Sequence, residues 1–178
     1  MRSFLAIALS PQTRSVLTGL QRNLRAGRLV DPDNLHVTLS FLDDQPEETL
    51  EVLHEELSLL NSPAFELYLR GVGCFGGQTP RIVQAEVEPS DALTALHRAI
   101  AKATRRVGIV LQRRKFHPHV TLARLKPHDA SAVGPFLSDE AGFSHKAGLV
   151  TRFGLYESIL RPEGPVYHVL AEYELLDT

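Results

Sequence analysis

His36-Val37-Thr38-Leu39 recurs as His119-Val120-Thr121-Leu122, 83 residues further along a chain of 178. Side chains on a strand alternate between its faces. Each tetrapeptide, read as a strand, therefore sets one imidazole beside one hydroxyl and turns two apolar residues the other way. Two such pairs facing one cleft would supply two acid–base groups and two hydroxyl donors. That set suits phosphoryl chemistry that needs no metal: one imidazole takes a proton from an attacking water while the other gives one to the departing alkoxide. An ordinary histidine value near 6.5 makes both forms accessible at neutral pH. The hydroxyls and ring N–H groups would hydrogen-bond the non-bridging oxygens as charge builds there. A single His-x-Thr is a routine pattern for a half-buried strand. The matched pair is not.

The elements around the two motifs repeat as well. Phe4–Leu9 reads as a buried strand, stopped by Ser10-Pro11, which supply an N-cap and a first helical turn. Val16, Leu17, Leu20 and Leu24 give the helix an apolar stripe. A strand over 35–42, a helix over 47–60 and a strand over 65–75 follow. The order returns with a strand over 81–88, a helix from Ser90 to Val107 and a strand over 119–125. A short helix at 130–140 and strands at about 148–156 and 166–175 complete the chain, the last two joined by Arg161-Pro162-Glu163-Gly164-Pro165. Strand, helix, strand, helix, strand thus runs over 4–75 and again over 81–156, with the His-x-Thr at the same place in both. Two copies are too few for a solenoid. The expected fold is α+β: one bilobal domain over 1–178, two pseudo-symmetric lobes, mostly antiparallel sheets lining a central cleft, and helices outside.

Composition removes several alternatives. Hydrophobic residues at 43% and charged residues at 22% are those of a globular chain. The longest apolar run, Phe4–Leu9, is six residues, far below the ~20 of a membrane span and below a secretory core of about 7–15. The only cysteine, Cys74, can form no intramolecular disulfide and no cysteine cluster for zinc; the expected compartment is the cytoplasm. A net charge of −2 argues against coating duplex nucleic acid by bulk attraction. Yet Arg105, Arg106, Arg113, Arg114 and Lys115 place five cations in eleven residues without an acid, a local patch able to receive phosphates. His54, His97, His128, His145 and His168 have no motif around them. His117 shares the parity of His119 but sits before Pro118, where the strand is only starting, and is read as a rim residue. No His-Glu-x-x-His or glycine-rich phosphate loop occurs, so the reading includes neither a metal nor ATP nor any other cofactor.

The two His-x-Thr-hydrophobic motifs resemble those of the 2H phosphoesterase superfamily. Leu35–Leu42, Gly71–Gly76 with Pro80-Arg81, Phe116–Arg124, Glu157-Ser158 and Tyr167–Leu175 resemble its RNA 2′,3′-cyclic phosphodiesterase, or 2′-5′ RNA ligase (LigT-like), branch, in order over essentially the whole chain. The resemblance implies that His36 is the proton donor to the departing oxygen and His119 the proton acceptor from water. It implies that Thr38, Thr121 and Arg124 hold the phosphate and that Phe41 lines the base side. Phe41 and Arg124 each follow their histidine by five residues, so strict alternation would turn both away from the cleft; a strand end or twist must bring them round. Gln84 stands where the family pattern has an aromatic residue.

The implied activity is hydrolysis of RNA or nucleotide 2′,3′-cyclic phosphate ends to 2′-phosphates, with 2′-5′ RNA ligation where a 5′-hydroxyl takes the place of water. The implied partners are RNA ends or nucleoside 2′,3′-cyclic phosphates, met by a monomer with no membrane association. Two alternatives stay open: a non-catalytic binder of RNA ends or nucleotides, and a phosphodiesterase for another cyclic or 2′-5′-linked nucleotide.

Overall fold

A computed structural model describes residues 1–177. Strand β1 (Arg2–Ala8) leads to helix α1 (Pro11–Arg22), the two-residue β2 (Arg28–Leu29), β3 (His36–Asp44), α2 (Glu47–Ser58) and β4 (Phe65–Phe75). Then come β5 (Ile82–Val87), α3 (Asp91–Arg106), β6 (His119–Arg124), α4 (Ala130–Asp139), β7 (Ser144–Val150), β8 (Arg152–Ile159) and β9 (Val166–Glu174). Helices α1 and α3, which join the antiparallel neighbours β1 to β3 and β5 to β6, start alike. Ser10 accepts from the Thr13 N–H at 3.2 Å, and Ser90 from the Leu93 N–H at 3.2 Å, satisfying donors that a helix start leaves free. The fold is α+β, as the sequence pattern indicates.

All nine strands belong to one antiparallel sheet in the order β7-β4-β5-β6-β3-β1-β8-β9, with β2 attached to β6. The two motif strands meet at its centre, where Val37 pairs with Val120. Each is the middle residue of its His-x-Thr, so the local pseudo-twofold passes between them. The halves of the sequence do not each build one half of the sheet. β4 lies beside β5, and β8 lies beside β1, so each half lends a strand to the other. One boundary differs from the sequence reading: the strand expected at 148–156 is the end of β7 and most of β8, broken at Thr151. β7 escaped notice because Ser144-His145-Lys146-Ala147-Gly148 on a sheet edge carries little apolar alternation.

One face of the sheet is the core. Leu5, Ile7, Val37, Leu39, Val83, Ala85, Val120 and Leu122 are at most 2% exposed and merge with Leu17, Leu20, Leu53, Leu93, Leu96 and Ile100 from the helices. Fully burying one such aliphatic side chain stabilises the fold by about 1.5–3 kcal/mol. The apolar positions of each His-x-Thr-Leu therefore hold their strand rigidly, while the polar positions project from the other face.

Candidate active site

His36, Thr38, Phe41, His119, Thr121 and Arg124 all line one cleft of about 390 Å³. Continuing the register from Val37–Val120 sets His36 alongside Thr121 and Thr38 alongside His119. Each imidazole thus has a threonine hydroxyl on its own strand and another across the seam.

The position of Phe41 and Arg124 has a local cause. On β3, Leu5 pairs with Ser40 but Ala6 pairs with Thr38, leaving Leu39 as an extra residue. On β6, Val83 pairs with Ala123 but Gln84 pairs with Thr121, leaving Leu122 extra. These are β-bulges at equivalent places, and a bulge restarts the side-chain alternation one residue late. Leu39 and Ser40 are both buried, as are Leu122 and Ala123, and the next residues, Phe41 and Arg124, emerge on the cleft side. The fourth residue of each motif is thus the hinge that turns the sixth toward the ligand space. Each bulge is held from the other half of the sequence. His97 on α3 donates from Nδ1 to the Leu39 carbonyl at 2.9 Å, and its ring stacks on Phe116 at 3.9 Å. Gln21 on α1 donates from Nε2 to the Leu122 carbonyl and to the Val30 carbonyl, both at 2.9 Å.

Both motif imidazoles are oriented alike. His36 donates from Nδ1–H to the Asn34 carbonyl at 2.6 Å, and His119 to the His117 carbonyl at 2.6 Å. That leaves each Nε2 as the atom that exchanges a proton. In neutral His36 the Thr38 hydroxyl donates to Nε2 at 2.9 Å. Burial holds the His36 imidazole below its ordinary value against the opposing Asn34 carbonyl, with the His119 and Arg124 cations adding to the lowering. Burial lowers His119 as well, against the His117 carbonyl and the Glu86 carboxylate, while His117 adds to the lowering.

Several contributors have no motif in the sequence. Arg28 on β2 lies directly opposite Arg124, so two guanidiniums border the cleft, and Arg28 also donates to the Glu163 carbonyl in the β8–β9 turn. Asn34 donates to the Pro165 carbonyl of the same turn at 2.8 Å. Phe4 and Tyr167 pack on the His36 ring, with centroids 5.1 and 5.4 Å away. Phe75 meets the His119 ring at 5.0 Å. The Gly27-Arg28 pair after α1 was the one signal that could have pointed to β2. Two further histidines have structural partners: His54 bonds Tyr173 at 3.0 Å, and His145 bonds Thr13 at 2.9 Å. Of the basic segment, Arg106 pairs with Glu56 at 3.4 Å, while Arg113, Arg114 and Lys115 are exposed in the coil leading to His119. Among the described residues no group of three or more His, Cys, Asp or Glu is arranged to hold a metal ion, and no helix is long and apolar enough to cross a membrane.

Comparison with known proteins accords with this geometry. The family model described as the 2′-5′ RNA ligase superfamily matches residues 6–156. The chain belongs to that superfamily. A relative from Thermus thermophilus named RNA 2′,3′-cyclic phosphodiesterase is 36% identical, covering 98% of this chain and 90% of its own. One of the same name from Archaeoglobus fulgidus is 31% identical, covering 98% and 100%. Among solved structures, E. coli LigT in apo form superposes with a TM-score of 0.78 at 27% identity, covering 98% of this chain and 96% of its own. LigT complexed with 3′-AMP gives 0.76 at 27% identity, with the same coverage. The superfamily assignment thus agrees with the resemblance read from the two motifs and their flanks.

Proposed function

We propose that this chain hydrolyses the 2′,3′-cyclic phosphate of RNA or nucleotide ends to a 2′-phosphate without a metal. The observation that carries the reading is the pair of imidazoles lining one cleft with Thr38 and Thr121, each held through Nδ1 by a backbone carbonyl so that Nε2 is left to exchange a proton. His119 Nε2 takes the proton of the attacking water. The water oxygen bonds to phosphorus as the bond to the 3′-oxygen breaks, and protonated His36 Nε2 gives its proton to that oxygen. Thr38, Thr121 and Arg124 hold the non-bridging oxygens, where charge develops, and Phe41 offers its exposed ring to the base. A 5′-hydroxyl in place of water opens the same ring, its oxygen bonding to phosphorus as the bond to the 3′-oxygen breaks, and gives a 2′-5′ linkage. The relatives named RNA 2′,3′-cyclic phosphodiesterase support the substrate class. The working form is a monomer in the cytoplasm.

A 5′-labelled oligonucleotide ending in a 2′,3′-cyclic phosphate, incubated in excess EDTA, tests this directly. The expected product carries only a 2′-phosphate. A 3′-phosphate product, or turnover lost in chelator and restored by a divalent ion, contradicts the mechanism. Binding without turnover assigns the chain to the non-catalytic class.

A further inference from the structure

The pseudo-twofold is broken next to the histidines, and the break is chemical. On β1 the residues opposite His36 and Thr38 are Ala8 and Ala6. On β5 the residues opposite His119 and Thr121 are Glu86 and Gln84. Where the first lobe has two methyl groups, the second therefore has a carboxylate and an amide. Gln84 is 1% exposed and donates from Nε2 to Glu86 Oε1 at 2.9 Å; its Oε1 is buried with no hydrogen-bond partner among the described residues. The other carboxylate oxygen of Glu86 bonds His117 Nε2 at 2.5 Å. His117 in turn presents the carbonyl that receives His119 Nδ1–H. Gly73 on β4 leaves the space, since a methyl group there would overlap the Glu86 carboxylate.

Carboxylate and imidazole are thereby tied through one residue's side chain and backbone. The groups facing His119 are Glu86 from β5, His117 from the preceding loop, His36 from β3 across the seam and the Phe75 ring from β4. His36 is faced by the Phe4 and Tyr167 rings and by the Arg124 and His119 side chains; Asp31 and Glu163 line the same cleft, but among the described residues no carboxylate is bonded to the His36 ring. A proton arriving on His119 thus meets the charge of Glu86; one sitting on His36 meets the Asn34 carbonyl and two aromatic rings, with the Arg124 cation nearby and no bonded carboxylate.

We propose that Glu86, held between Gln84 and His117, is a positioning residue that stabilises protonated His119 and so separates the roles of two otherwise symmetric histidines. The inference rests on the acid–base reading above and deepens it. His119 becomes the better base because its conjugate acid is supported. His36, with no bonded carboxylate, becomes the stronger acid toward the departing oxygen. The electrostatic support that His119 draws from Glu86 has the same direction.

The test is the titration of the His119 ring followed by nitrogen-resolved NMR in the parent, Glu86→Gln, Glu86→Ala and Glu86→Asp, with the pH dependence of kcat/KM beside it. Glu86→Gln and Glu86→Ala should move the His119 titration, and the midpoint of the rate profile, to lower pH. Glu86→Asp, which keeps the charge, should restore most of the parent behaviour, and the His36 titration should move less than that of His119. The NMR readout does not depend on turnover, and any one folded variant suffices. An unchanged His119 titration in Glu86→Gln or Glu86→Ala overturns the inference. His119→Ala separates the two failures: if it turns over like the parent, the acid–base reading itself falls; if it is inactive while Glu86→Gln titrates like the parent, only the role of Glu86 falls.

Discussion

Replacing Gln21 by methionine removes the donors that hold the β6 bulge while keeping side-chain length and apolar volume. Gln21 is 2% exposed, and its amide donates to the Val30 and Leu122 carbonyls, both at 2.9 Å. The Leu122 carbonyl also accepts from the Val30 N–H at 2.9 Å, so it keeps one partner after the change. The Val30 carbonyl loses the amide. Two neutral hydrogen bonds at about 1 kcal/mol each, with some desolvation cost at the carbonyl left behind, give a loss of roughly 2–4 kcal/mol. For a chain of this size that lowers Tm by roughly 4–16 °C, readable by calorimetry. The change also has a functional signature, because the Leu122 bulge is what presents Arg124 to the cleft. KM for a cyclic phosphate should rise more than kcat falls, since the histidines keep their carbonyl partners. A Tm within about 1 °C of the parent, together with an unchanged KM, refutes the argument that Gln21 holds the bulge.

Three further outcomes follow from the site. Both imidazoles lie below their ordinary 6.5 in the folded chain, and a bell-shaped kcat/KM peaks midway between its two pKa values; the optimum measured with a cyclic nucleotide should therefore lie below pH 6.5, and an optimum well above it contradicts the burial argument. The same depression means the unfolded chain binds more protons below 6.5, so stability is fully present above that value and falls as pH drops toward the folded pKa; His36→Gln should lose less stability than the parent between pH 7 and 5 in denaturant titrations, and equal losses would show that His36 makes no such contribution. Neutralising Arg113 and Arg114 together should raise KM for oligonucleotides several-fold more than for mononucleotides, with a shallower salt dependence; equal effects on both substrates make the segment a solvated rim.

That His36, Thr38, His119 and Thr121 share one cleft was legible in the sequence because their spacing carries physical meaning. A duplicated His-x-Thr at one place in two copies of an element order fixes which residues share a face, and the order of strands and capped helices indicated the α+β class. Less visible was how Phe41 and Arg124 reach the cleft. A bulge at Leu39 or Leu122 leaves no local signature, since an extra apolar residue in a buried strand reads like any other, and the side chains holding it, His97 and Gln21, come from distant helices. Sheet order was equally hidden: the exchange of β4 and β8 between the lobes depends on long-range pairing that neither repeat encodes alone. Gln84, visible as a departure from the family pattern, gained a physical reading only once Glu86 and His117 were seen bonded around it.

The central claim is that two histidines, related by the pseudo-twofold, act at the same moment in opposite protonation states. The measurement that tests it most directly is the pH dependence of kcat/KM for a nucleoside 2′,3′-cyclic phosphate in the parent, His36→Ala and His119→Ala. The parent should give a bell, and each variant should lose on the order of 10²–10⁴ in rate, the usual worth of a positioned acid or base. His119→Ala should keep only the alkaline fall, set by the remaining acid, and His36→Ala only the acid rise, set by the remaining base. Two variants that lose the same limb, or either variant retaining the parent's rate, would contradict the account.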